Sequence, residues 1–320
     1  MHIPDGLLDT KTIITTSIFS FVAIARALKQ VQKNMPPKVV PLMGLAAAFI
    51  FVAQMLNFPV VGGTSGHLIG AVLVSVLLGP CAGILVMSIV LVVQCFLFAD
   101  GGVLALGANI FNMAIVGSVG GYYIYKFITI IIPGIFGKFV GIAFGSWSST
   151  VLASLCCTGE IAWSGTVVWS LGFPAMTSIH MLIGIGEGLI TTLVIAAIYR
   201  TRPDLAVADI QGPDISKNRP FTDVLIYGFM IIIGLILFVS PFASQWPDGL
   251  EKVAATFGFE SKVLSRPLVP SPIADYQVPG IGSLSTATAL AGAIGAVAVF
   301  LLSFVLAKIL STKTENNLTQ

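Results

Sequence analysis

Long apolar stretches, separated by short polar or glycine-rich breaks, run along nearly the whole chain. A bilayer-spanning helix needs about 20 predominantly apolar residues. On that measure the chain divides into stretches at 9–28, 39–57, 66–79, 81–98, 103–126, 129–157, 175–199, 222–243 and 284–309, nine expected spans with the third unusually short. The pattern predicts an all-α polytopic membrane protein. Residues 200–220 (RTRPDLAVADIQGPDISKNRP) interrupt it with a polar, charged, Pro-bearing run, the composition of a linker. The expected organisation is a seven-helix domain at 1–199, a cytoplasmic linker at 200–220 and a two-helix hairpin at 221–320 whose connection, 244–283, is external. Within that connection Asp248 can cap a short amphipathic helix with Leu250, Val253, Ala254 and Phe257 on one face.

Composition agrees with the pattern: 56% of residues are hydrophobic, 9% are charged and the mean hydropathy is +0.98. A net charge of +2 is too small to imply a nucleic-acid partner, so the position of the basic residues matters more than their number. Arg26, Lys29, Lys33 and Lys38 fill the first connection, and Arg200, Arg202, Lys217 and Arg219 follow the seventh span. Positive charge favours the cytoplasmic side. Both basic segments are then cytoplasmic, and the seven crossings between the N-terminus and the second of them place the N-terminus outside, as the first requires independently. Cys81, Cys95, Cys156 and Cys157 lie in or beside apolar runs without C-x-x-C spacing and read as small buried hydrophobes.

Candidate chemistry begins at the first two residues. MHIPDGLL has no basic n-region and reads as an uncleaved start rather than a secretory signal. The Met1 amine, the His2 amide and the His2 imidazole form fused chelate rings around one metal ion, and a further imidazole closes a square. His67, after the loop NFPVVGGTSG, is the expected fourth nitrogen. Such a site suits Ni(II) or Cu(II), admits Co(II), and disfavours Mg(II) and Ca(II). Pro4 reads either as a restraint on Ile3 or as a helix-start signal. Thr64 and Ser65, among Gly62, Gly63 and Gly66, read as a cavity wall or as a plain tight turn. Asn109 and Asn112, three apart, read as outer-shell hydrogen-bond partners or as helix contacts. His180 lies one to two turns into the expected seventh span. Glu187, seven residues on, either conducts the cation or buttresses the core, whereas Glu160 in CCTGE is expected to meet water.

Four segments carry a resemblance: MHIPDGLL, NFPVVGGTSGHLIGAVLVSVLLGP, VQCFLFADGGVLALGANIFNMAIVG and HMLIGIGEGLIT. Together they resemble the CbiM/NikM family, the substrate-capture components of energy-coupling-factor transporters for cobalt and nickel, over residues 1–199. The tail, through WPDGLEKVAATFGFE and SPIADYQVPGI, resembles the NikN or PDGLE-type accessory region, so the chain looks like a fusion of the two. The resemblance implies that Met1, His2 and His67 hold Ni(II) or Co(II) as transported substrate, with nickel favoured by the NikN-like tail. It also implies a prokaryotic plasma membrane, a membrane coupling protein (CbiQ/NikQ-like) and cytoplasmic ABC ATPases (CbiO/NikO-like) as partners, with membrane lipid around the chain.

No enzyme is expected. The nearest glycine-lysine candidate, IPGIFGKFV, lacks the G-x-x-x-x-G-K-[ST] pattern, so energy comes from elsewhere. A self-powered secondary permease, the alternative, calls for more intramembrane carboxylates than Glu187. An intramembrane metalloprotease calls for a motif such as H-E-x-x-H, which does not occur.

Overall fold

The computed structural model describes residues 1–34, 36, 39–202, 205 and 221–318. Most of the linker expected at 200–220 lies outside the described residues, as do Lys38, Lys217 and Arg219. The helices are α1 (Thr10–Asn34), α2 (Val40–Met55), α3 (Ala71–Leu78), α4 (Pro80–Phe98), α5 (Leu106–Ile131), α6 (Gly134–Trp163), α7 (Trp169–Thr201), α8 (Phe221–Gly234), α9 (Gly249–Phe257) and α10 (Leu284–Leu318). A short antiparallel hairpin of β1 (Phe58–Val60) and β2 (Thr64–Gly66) joins α2 to the next segment. Among the described residues seven helices are long and apolar enough to cross a membrane, while α2 has 16 residues and α3 only 8.

The third expected span, 66–79, is not one helix. Gly70 takes φ +77° and Gly79 φ +88°, left-handed conformations that suit glycine and bound α3 at both ends. Eight helical residues rise about 12 Å against a hydrocarbon core of about 30 Å, so the crossing is completed by non-helical chain from Gly66 to Gly70, which is fully buried. Irregular backbone at membrane depth requires protein partners for its N–H groups. Glu187 of α7 supplies them, accepting from Ile69 N at 2.6 Å and Gly70 N at 2.8 Å. Glu187 thereby braces the backbone of the third segment.

Other boundaries shift for local reasons. Pro133, in an extended conformation, delays α6, which then runs on through CCTGE to Trp163, so Glu160 lies inside a helix. The seventh span begins at Trp169 and carries Pro174 inside the helix, so its ladder lacks one N–H there. His180 therefore stands 11 residues after Trp169, about three turns in rather than one to two. Pro4 does not start a helix, since α1 opens only at Thr10, with Asp9 accepting from Thr12 N at 2.9 Å.

Small residues bring the long helices together. An added Cβ at Gly145 of α6 would lie 2.7 Å from Gly121 O of α5, and one at Gly188 of α7 the same distance from Ala143 O of α6. Helices that cannot gain from the hydrophobic effect inside lipid associate through such close backbone approach. The C-terminal helices join this bundle: α10 packs along α2 and α4, and α8 against α2. Beyond α8, Asp248 and Glu251 form the two-way hydrogen-bonded cap of α9, and Leu250, Val253 and Ala254 are buried while Phe257 is exposed. All four cysteines are free, Cys95 and Cys157 buried and the other two half-buried.

The starts of α1, α5, α7 and α10 and the ends of α2, α4, α6 and α8 meet at one face. Backbone bonds tie them there: Gly102 N to Ile3 O at 2.8 Å, Leu264 N to Asp5 O at 3.0 Å, Ser244 N to Asn57 O at 2.8 Å and Ile273 N to Leu97 O at 3.0 Å. Arg26, Lys29 and Lys33 of α1 and Arg200 of α7 mark the opposite face, which is the cytoplasmic one. The N-terminus is extracytoplasmic.

Candidate metal centre

Residues 1–9 form no helix, and each turn of them is fastened by side chains of other elements. Asn109 clasps Ile3 from both sides, its Oδ1 accepting from Ile3 N at 2.7 Å and its Nδ2 donating to Ile3 O at 3.1 Å. Asp5 accepts from Val103, Leu104 and Ala105 N, so the first segment also caps the start of α5. Thr166 Oγ1 donates to Leu7 O at 2.7 Å. Met1, Ile3 and Leu7 are consequently buried, and the chain's first two residues are aimed into the protein.

There they meet His67, held by β2. Met1 N lies 3.3 Å from His67 Nε2, and the His2 and His67 rings stack with centroids 5.2 Å apart and planes 20° from parallel. His67 Nδ1 faces its neighbour's carbonyl, Leu68 O, at 3.1 Å, which leaves Nε2 toward the amine. His2 Nδ1 lies 3.0 Å from Asp100 Oδ1, and its Nε2 is buried without a hydrogen-bond partner. Tyr276 donates its hydroxyl to the other Asp100 oxygen at 2.5 Å. Asp248 is paired with the Met1 amine. Beneath this cluster is a pocket of about 10 Å³, lined by Met1, His67, Thr150, His180, Ile183 and Asp248 among others.

The electrostatics follow from burial and from these pairings. Burial alone would lower the Met1 amine's proton affinity, but Asp248 overrides it and holds the amine above its ordinary value. His67 Nδ1 faces Leu68 O and its Nε2 faces the Met1 ammonium, the arrangement of a neutral imidazole that donates at Nδ1 and accepts at Nε2. Asp100 and Asp248 would each be raised by burial, yet His2 beside the one and the Met1 ammonium beside the other keep both carboxyls well below the usual carboxylate range.

The remaining expected site residues divide. Thr64 and Ser65 face outward to the turn before α9: Thr64 Oγ1 donates to Pro247 O at 3.0 Å, Ser65 Oγ to Trp246 O at 2.7 Å and Ser65 N to Pro247 O at 2.8 Å. His180 borders the pocket, with Nδ1 2.8 Å from Met176 O. Asn112 and Glu187 are committed elsewhere, Asn112 donating to Glu160 Oε2 at 2.7 Å and Glu187 bracing the third span. Glu160 does not meet water. It is 7% exposed, and α6 carries it inward to Asn112 where a loop would have left it at the surface. Asp5, Asp100, Asp248 and Tyr276 were not singled out from sequence as parts of the site. Among the described residues no three His, Cys, Asp or Glu side chains converge as a cage.

A multi-pass membrane protein with a buried, nitrogen-rich N-terminal cluster at its outer face is the class that fold and site define. The chain belongs to the CbiM family, described as the cobalt uptake substrate-specific transmembrane region, which matches residues 2–205; a PDGLE domain matches residues 222–312. A putative fused nickel transport protein, NikMN, of Archaeoglobus fulgidus is 36% identical over 316 residues, 96% of this chain and 98% of that protein. Cobalt transport protein CbiM 1 of Pelobacter propionicus is 33% identical over 66% of this chain and 97% of its own length. A solved structure of a truncated transition metal transporter matches with a TM-score of 0.57 and 33% identity over 62% of this chain and 99% of that one.

Proposed function

We propose that this protein is the substrate-capture component of an energy-coupling-factor importer for a divalent transition metal, nickel in preference to cobalt, in a prokaryotic plasma membrane. One observation supports it above the rest: the Met1 amine, His2 and His67 lie together, buried, at the outer face. On this reading residues 1–199 form the capture domain, 200–220 a cytoplasmic linker and 221–320 an accessory hairpin with its loop at 244–283 outside. The ligands are the Met1 amine, the His2 amide and imidazole, and His67 Nε2. A six-membered chelate ring through the His2 amide closes only at Nδ1, so loading draws that ring away from Asp100. His67, already neutral, needs no deprotonation.

The charge balance favours such loading. The ammonium and the amide each give up a proton as a dication enters, so the buried site between Asp100 and Asp248 keeps its net charge. The fused relatives, named for nickel transport, tilt the choice of metal. Energy comes from partners, a membrane coupling protein and cytoplasmic ABC ATPases, whose turnover reorients the loaded subunit toward the cytoplasm. A self-powered permease needs intramembrane carboxylates free for ion coupling, whereas Glu187 is taken up by Ile69 and Gly70 and Glu160 accepts from Asn112.

The test is nickel uptake by cells carrying H67A in the complete transporter. Loss of uptake at low nickel concentration, with the subunit still in the membrane, is the expected result. Undiminished uptake contradicts the reading.

A further inference from the structure

The N-terminal amine is paired with a carboxylate from the far end of the chain. Asp248, at the head of α9, stands 247 residues from Met1 in sequence, and the two are 17% and 3% exposed. The turn that presents it is fixed on two sides. Trp246 O and Pro247 O accept from Ser65 and Thr64, two and three residues before His67. On the other side Gly249 lies against the His180 ring, where an added Cβ would come within 2.7 Å of Cε1. With its register set by these contacts, the turn places one carboxylate on the amine. A second link reaches the site from the same outer segment, through Tyr276 to Asp100 to His2.

We propose that Asp248 is a positioning residue for metal capture: the outer partner that holds the Met1 amine where it chelates a divalent transition metal, so that the outer segment of the C-terminal hairpin completes the site. This rests on the capture reading above. A metal-bound amine keeps two N–H groups, and coordination makes them stronger donors. A carboxylate accepting one of them aims the nitrogen lone pair and offsets the metal's charge. Outer partners of this kind typically carry 10–100-fold in metal affinity.

The experiment is a Ni(II) titration of the purified full chain by calorimetry, comparing wild type, D248N, D248S and H67A. Asn and Ser cap a helix about as well as Asp, so both Asp248 variants remove the charge while retaining the α9 cap. Melting of the metal-free proteins checks that. The expected result, in alkaline buffer where proton competition for the amine is least, is Ni(II) binding weakened about 10–100-fold in D248N and D248S, in proteins that still unfold in one cooperative transition. Unchanged affinity in both, while H67A abolishes binding, overturns the role of Asp248 and leaves the capture reading standing. Unchanged affinity in all three overturns the capture reading itself.

Discussion

At the scale of single residues, the site depends on which nitrogen atoms carry protons. His67 is neutral by its contacts, with Nδ1 facing Leu68 O as donor and Nε2 facing the ammonium as acceptor. The Met1 amine is the reverse case, held above its ordinary value by Asp248, so that under the proposed capture a metal has to displace its proton. Metal affinity should fall as pH is lowered through the neutral range and keep rising above pH 8, where an ordinary α-amino group would already be free. Calorimetry in buffers of different ionisation enthalpy should count about two protons released per Ni(II) at pH 7; a count near zero would contradict coordination by amine and amide. That Met1, His2 and His67 come together was legible because adjacency and a Gly-rich approach are local signals. Asp100 and Asp248 were not, since what makes them part of the site is a fold that brings them 98 and 247 positions back to His2 and Met1.

Among the elements, the third crossing shows why an apolar run alone misleads. Residues 66–79 read from sequence as one short helical span, because periodicity cannot tell helix from buried extended chain when both faces are apolar. Gly70 and Gly79 settle the matter through left-handed backbone, and Glu187 makes the break tolerable. E187Q replaces one acceptor oxygen with an amide donor facing a backbone N–H. It should destabilise the protein by about 1–3 kcal/mol, read as a lower melting temperature in detergent, with the proposed N-terminal ligands untouched. An unchanged melting temperature would mean that Ile69 and Gly70 find other acceptors. Glu160 was misplaced for a related reason: Thr158 and Gly159 suggest a loop, yet α6 continues through them, with Thr158 Oγ1 donating back to Ser154 O at 2.7 Å. The α9 cap, by contrast, was visible in the sequence, because Asp248 and Glu251 satisfy each other within one turn.

On the scale of the whole molecule, hydropathy and the placement of Lys and Arg were enough to give the membrane class, the helical bundle and the outward N-terminus. What they could not give is the convergence of loops from both halves of the chain over residues 1–9, since that is set by helix packing through Gly145, Gly188 and their neighbours. The convergence makes the protein's central feature a buried amine, and that is what to measure. Ni(II) and Co(II) binding should be compared between protein with Met1 as its free terminus and protein carrying one additional residue before Met1. The account predicts that the extension abolishes binding, because it turns the amine into an amide and pushes a residue against Asp248 and His67. Equal binding by the two proteins would contradict it and require a site built without the amine.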